Sequence, residues 1–151
     1  MKVLVFHIGS DRYGLRLGAI ARVLPAAGLK ALPLAPAYVA GLLDLHGEPV
    51  PVVDLSQLAG APAHQLWFDT RIILVDYPAD GGTRALGLLA EHVAGIETVD
   101  EASFADSGVA GAPFLGQVAG GEAGMLQLVE PEGLLTPEAR ALLFQPQAVA
   151  P

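Results

Sequence analysis

"VAGLLDLHGEPVPVVDLSQL", Val39 to Leu58, is the stretch whose reading decides the fold. Two apolar segments flank the turn-forming trio His46–Glu48, so the stretch reads as a β-hairpin turning there. Its second arm carries Pro49 and Pro51. Alternate N–H groups along a strand point to the same neighbour, so both prolines remove donors on one side, while Val50 and Val52 keep theirs for the other. Such a strand belongs at the rim of a sheet or beside a partner that is not a sheet. Nothing reactive is held in it, and it reads as a docking edge.

The same grammar extends outward in both directions. "KVLVFHI" and "YGLRL" alternate as strands around the turn "GSDR", and "AIARVLP" reads as a third short strand. "APAYVAG" reads as a single helical turn stopped by Gly41. Beyond the hairpin and the short turn "DLSQLAG", "RIILVDY", "PADGGTR" and "ALGLLA" form another hairpin, with "HVAGIETV" following as "AIARVLP" did. Gly14, Ile20, Val23 and Gly47 have counterparts in Gly87, Val93, Ile96 and Gly120 at an offset of 73 residues. At an offset of 76, "VVDLSQL" meets "LVEPEGL", so Asp54 matches Glu130 and Leu58 matches Leu134. A repeat of this length implies two similar β subdomains, about 3–60 and about 70–135, inside one domain spanning 3–144. In the tail, Thr136 as N-cap and Pro137 at the first helical position predict a short helix over 137–144, with Leu142, Leu143 and Phe144 packing back on the β structure.

Composition excludes several classes of function. Hydrophobic residues make up 52% and charged residues 16%, against intrinsic disorder, and the 18 glycines and 12 prolines suit many strands and turns. A net charge of −8 argues against nucleic-acid partners and anionic membrane surfaces. The chain has no cysteine, hence no disulfide framework or thiolate site. "MKVLVFHIGSDRYG" lacks the shape of a signal peptide, and "ALPLAPAYVAGLL" is too short to span a bilayer and is broken by Pro33 and Pro36, so a cytoplasmic protein without direct membrane insertion is expected.

Catalytic signals are thin. "ADSG" at Ala105–Gly108 resembles the Asp-Ser-Gly of aspartic proteases, but it lies in a Gly/Ala-rich loop with no second copy at the repeat-related position. His7, His46, His64 and His92 lack metal-ligand spacing, no serine has a nucleophile-elbow context, and "GQVAGGEAG" is no phosphate loop. No enzyme activity, metal or cofactor is expected. Trp67 and Phe68 fall between the two halves, where they are expected to plug the seam; an exposed aromatic anchor is the alternative.

The phrases "VFHIGSDRYGLRLGAIARVLP", "VAGLLDLHGEPVPVVDLSQLAG" and "TRIILVDYP…ALGLLAEHVAGIETV" resemble the CheW-like coupling proteins of bacterial chemosensory systems, over about Val3 to Phe144. The most specific likeness runs from Gly41 through Asp44-Leu45-His46-Gly47 to Pro51 and Asp54-Leu55. The resemblance implies an all-β fold of two five-stranded β-barrels packed together. It also implies a non-catalytic adaptor coupling chemoreceptor cytoplasmic tips to the regulatory domain of a CheA-type histidine kinase, recruited to membrane-associated receptor complexes. It places receptor contacts at the subdomain junction, on Ile20, Arg22, Gly41, Leu42 and His46, where the lack of a side chain at Gly41 would admit a partner helix. It places one kinase-facing surface on each barrel, with Val109 and Phe114, beside the loop Ser103–Ala112, as candidates on the second. The family's Asn and Arg in the signature are Asp44 and His46 here, and Arg22 stands where that Arg has its acidic partner, so the family ion pair is absent. The wording "LKALPLAP…VAGLLDLHG" is closer to couplers of alternative, Wsp-type systems. The competing class is an OB-type nucleic-acid-binding barrel, which would want basic grooves that this chain lacks.

Overall fold

The apolar run at the start of the chain forms strand β1 (Lys2–Ile8), and a two-residue turn at Gly9–Ser10 returns it as β2 (Asp11–Arg16). Gly9 has φ +62°, as such a turn requires. The computed structural model describes residues 1–62, 66–79, 81–106, 108, 113–120 and 124–144. A one-turn 3-10 helix, Leu17–Ala19, leads into β3 (Ile20–Pro25), and the hairpin of β4 (Val39–Leu45) and β5 (Glu48–Asp54) follows. The segment before β4 is a turn closed by the Val39 N–H on the Pro36 carbonyl, not the helical turn expected there. Helix α1 (Leu55–Leu58) is capped by Asp54, whose carboxylate accepts from the Ser56 N–H at 3.0 Å. Then come β6 (Arg71–Ala79), the 17-residue β7 (Gly82–Thr98), β8 (Leu115–Ala119), β9 (Leu126–Val129) and α2 (Pro137–Leu143). Thr136 accepts from the Ala139 N–H, the cap expected from the sequence.

Strand β7 belongs to two sheets. Its first half pairs with β6 and runs parallel to β5; its second half pairs with β1. One wing is therefore β4-β5-β7-β6-β3 and the other β7-β1-β2-β9-β8. The all-β class and the five strands per unit are present. Closed barrels are not: among the described residues no ladder joins β3 to β4, or β8 to β7.

The internal repeat is visible in the registers. Leu4 pairs with Leu15 as Ile73 pairs with Leu88, Val23 with Ile73 as Ile96 with Leu4, and Val52 with Gly87 as Leu128 with Gly14. These pairs map onto one another by offsets of 69, 73 and 76 residues in the three parts of the repeat. The halves are nevertheless interleaved. Each wing takes its first two strands from one half and its other three from the other half, so sequence blocks of about 3–60 and 70–135 are not the wings.

Interleaving explains why strands read as continuous apolar runs, for they are covered on both faces. Leu4, Phe6 and Ile8 of β1 enter a large cluster between the wings together with Ile73, Val75, Tyr77, Leu88 and Val129. Val3 and Val5 turn instead into a small cluster inside the second wing, with Leu126 and Leu128, while Ile72, Leu74 and Val52 fill the first wing. Helix α2 closes one end of the shared cluster through Ala139 and through Phe144, whose ring stacks on Tyr77 at 5.5 Å. Leu142, expected to pack inward, is exposed, because it faces away from that cluster.

The two prolines now have a position. A two-residue loop makes Leu45 and Glu48 a hydrogen-bonded pair, so Pro49 and Pro51, opposite Asp44 and Leu42, occupy non-bonded sites and turn their missing donors towards β7. β7 accordingly engages β5 only at Val52, Val53 and Asp54. The strand is a rim at its start and interior at its end, which corrects the expectation of a rim throughout.

Gly14 and Gly87 test the packing asymmetry of these equivalent positions. A Cβ on Gly87 would lie 2.8 Å from Val52 Cγ2 and 3.2 Å from Ile72 Cγ2, whereas one on Gly14 would find nothing nearer than 3.4 Å. Gly87→Ala is expected to destabilise by about 1–3 kcal/mol and Gly14→Ala by less than about 1 kcal/mol in urea unfolding. Equal losses would contradict the described packing.

Candidate functional site: a docking surface

The residues expected to meet a receptor are separated by the fold. Ile20 opens β3, is half-buried, pairs with Val75 and packs against the shared cluster. Arg22 follows on the same strand and is exposed. His46, also exposed, is the first residue of the β4–β5 loop with φ +52°, and Gly47 beside it donates its N–H to Asp44 Oδ1 at 2.7 Å. Among the described residues, neither the Arg22 side chain nor the His46 side chain has an ionic or hydrogen-bonding partner. β3 and β4 are the outer strands of one wing, yet Leu24 and Leu45 reach the same inner cluster, so the wing curls and presents both rims outward.

Gly41 is not an opening for a partner. It is buried in β4 at a register shift, with φ +146°, and a Cβ there would stand 2.5 Å from the Lys30 carbonyl oxygen and 3.0 Å from Leu29 Cβ. The chain's own connection fills the space: Lys30 and Leu42 exchange backbone hydrogen bonds of 2.8 and 2.9 Å. Leu42 is half-buried under that bridge.

The kinase-facing candidates fare differently. Val109 lies outside the described residues. Phe114 is 3% exposed and belongs to the shared cluster, which corrects its expected surface role. The repeat explains this: Phe114 is the counterpart of Tyr38, and the carbonyl of each accepts the N–H of the matching acid, Glu130 or Asp54.

A groove of about 340 Å³ opens between the wings next to Ile20, with Gly18 and Ala19 on one side and Asp76, Pro78 and Glu132 on the other. Among the described residues lining it, the acids Asp76, Glu130 and Glu132 outnumber the one cation, Arg16, whose guanidinium is itself held by Glu130 in a two-pronged pair at 2.7 and 2.8 Å. Gly41, Leu42 and His46 do not line it. The repeat explains why it exists. Gly18 and Ala19 correspond to Glu91 and His92, whose side chains occupy the equivalent corner and carry Trp67 on top. Trp67 thus covers the β7 crossover rather than a seam between successive subdomains, and it remains 46% exposed. Phe68 beside it is 97% exposed, and Leu66 is exposed too. The family resemblance pointed to the subdomain junction around Ile20, but no sequence signal marked the residues that line this groove; the Asp54–Glu130 match was their nearest trace.

Among the described residues, no cluster of three or more His, Cys, Asp or Glu has a geometry suited to a metal. None of their helices is long and apolar enough to cross a membrane. What the surface offers is two rims, a shallow acidic groove and an apolar knob.

Residues 2–139 match the CheW-like domain. The chain belongs to that family. It is 29% identical over 100 residues to the chemotaxis protein CheW of Rhizobium meliloti, covering 66% of this chain and 62% of that one. It is 28% identical over 54 residues to CheW of Treponema pallidum, covering 36% of this chain and 32% of that one. Against CheW of Bacillus subtilis it is 25% identical over 76 residues, or 50% and 49% of the two chains. The chain thus spans between 32% and 62% of the length of these curated relatives. The crystal structure of the scaffolding protein TtCheW from Thermoanaerobacter tengcongensis superposes with a TM-score of 0.79, over 91% of this chain and 89% of that one at 23% identity, which shows a common fold.

If Gly41 serves the fold in this way, Gly41→Ala should cost at least about 2 kcal/mol in urea unfolding, through its positive φ and the contact with the Lys30 carbonyl. A stable Gly41→Ala protein with changed partner binding alone would restore the docking role.

Proposed function

We propose that this CheW-like chain is a non-catalytic adaptor that couples chemoreceptor cytoplasmic tips to the regulatory domain of a CheA-type histidine kinase. The observation that carries the reading is the match of residues 2–139 to the CheW-like domain, on a fold shared with a scaffolding protein. Physical chemistry supports it. A rigid two-wing body with pseudo-equivalent hairpins, β4–β5 and β8–β9, offers two surfaces to different partners at once. Contacts of this kind are individually modest and gain strength when many copies assemble. The net charge of −8 steers the protein towards basic partner surfaces and away from nucleic acid.

In this reading the receptor segment lies along β3, against Ile20 and Arg22, and reaches the groove beside Ala19, with His46 reading it from the facing rim. The imidazole of His46 and the cation of Arg22 present a face unlike an Arg–acid pair, so they set receptor choice. Membrane recruitment follows from the receptor, since the proposed contacts are protein contacts. The kinase surface is assigned to the exposed rims of the hairpins rather than to Phe114.

Purified protein should co-sediment with an assembly of cognate receptor tips and kinase, and Ile20→Ala, assayed where it remains folded although lost packing on the shared cluster lowers its urea midpoint, should weaken receptor binding at least about tenfold, as loss of a central apolar contact does. Binding to neither partner would refute the adaptor reading. Separately, His46→Arg plus Arg22→Glu should raise binding to ordinary chemotaxis receptor tips and lower it to cognate ones; unaltered preference would remove these two residues from specificity.

A further inference from the structure

A second cluster of polar side chains gathers where β7 passes from one wing to the other, away from the groove. His92, at φ +49°, marks the crossing. Its Nδ1 stands 3.0 Å from Asp69 Oδ1 and 3.3 Å from Oδ2, and its ring lies 5.3 Å from that of Trp67 at a tilt of 31°. The Trp67 indole N–H donates to the Glu91 carboxylate, which also accepts from the Ser56 hydroxyl at 3.2 Å. From β1, His7 meets the His92 ring edge-on at 6.3 Å, with its Nδ1 3.0 Å from the His92 carbonyl oxygen. From β6, Arg71 donates to the carbonyls of Phe68 and Thr70 at 2.8 and 2.9 Å. Asp69, Glu91, His7 and Arg71 are thus the charged or titratable groups around His92 among the described residues.

We propose that His92 is a proton-operated clasp on the segment Leu66–Thr70. When the imidazole carries a proton, it attracts the Asp69 carboxylate and lies as a cation against the Trp67 ring, so both ends of the exposed apolar knob are drawn to the crossover. When the ring is neutral, Nδ1–H still donates to Asp69, but the charge attraction and the cation–ring contact are gone. Asp69 is the mechanical link, because its backbone carbonyl accepts the Val93 N–H at 3.0 Å, the bond that ties the segment to β7. Trp67 and Thr70 close the segment on itself through the Trp67 N–H to Thr70 Oγ1 at 2.9 Å and the Thr70 N–H to the Trp67 carbonyl at 3.2 Å. The clasp therefore holds or releases the segment as a unit. Both partners of the ion pair are partly exposed, so the expected difference between the two states is about three- to tenfold in opening, not all-or-none.

The test uses the whole chain, whose one tryptophan is the reporter. Histidine changes charge between about pH 5 and pH 8. Across that range, hydrogen exchange at the Val93 amide, corrected for intrinsic rates, should show about three- to tenfold more opening at the high end. Trp67 fluorescence should titrate in parallel. His92→Asn, chosen because Asn tolerates positive φ, should abolish both responses; Asp69→Asn should abolish the exchange response while leaving the ring contact in place. His7→Gln should preserve both. Opening that is independent of pH in the unaltered protein, or a pH response that survives in folded His92→Asn, would overturn the clasp.

Discussion

The structure depends on burying β7 and its neighbours on two faces at once. A strand with one wet face needs only alternate apolar residues; "ALGLLA" and "RIILV" are apolar at consecutive positions because one set fills a wing and the other fills the space between wings. At roughly 1.5–3 kcal/mol for each fully buried large side chain, the shared cluster is worth more than either small one, so neither wing is a self-sufficient unit. The exchange of third strands follows from this. β3 leaves its own half to edge β6, and the second part of β7 leaves its half to edge β1.

Within that scaffold the two halves have diverged at the same place. Both cross from wing to wing after equivalent glycine-bearing strands. In the first half the crossing is Leu17-Gly18-Ala19, small residues that leave a groove beside Ile20. In the second it is Ala90-Glu91-His92, within a strand that never breaks, and the side chains there gather Trp67, Asp69 and Ser56. The acid at the end of the matching strand changes role as well. Asp54 is buried and caps α1, whereas Glu130 reaches outward to Arg16 and lies over Gly116. Duplication supplied a symmetric frame; different residues at a few positions leave one crossing open and fill the other.

Much of this is legible in the sequence. The hairpin turns within Gly9–Arg12 and His46–Glu48 and the Thr136 cap are local chemistry, in which a few adjacent residues decide the outcome, and the repeat at offsets of 73 and 76 is that chemistry recurring along the chain. The resemblance to CheW-like proteins added the pairing of two five-stranded units, which local chemistry does not contain. Two of the misreadings share one cause, for they concerned what lies across a strand rather than along it. Gly41 looked like space for a partner and is space for Lys30; Phe114 looked like a loop residue and is a core residue like Tyr38.

By itself the sequence determined most of the strand segments, their turns and the all-β class, because hydrophobic period, turn residues and caps act within a few positions of the chain, and it showed the duplication as the same pattern recurring 73 and 76 residues on; it divided the continuous β7 into two strands. The tertiary structure alone decided which strand lies beside which, that the halves exchange strands, that the prolines stop β7 from pairing with the start of β5, and that an acidic groove forms at one crossing and a His–Asp–Trp cluster at the other. The reason is physical. An edge N–H or an exposed methyl group is satisfied by any partner of suitable shape, and the choice among partners is made by burying the largest shared apolar surface over the whole chain.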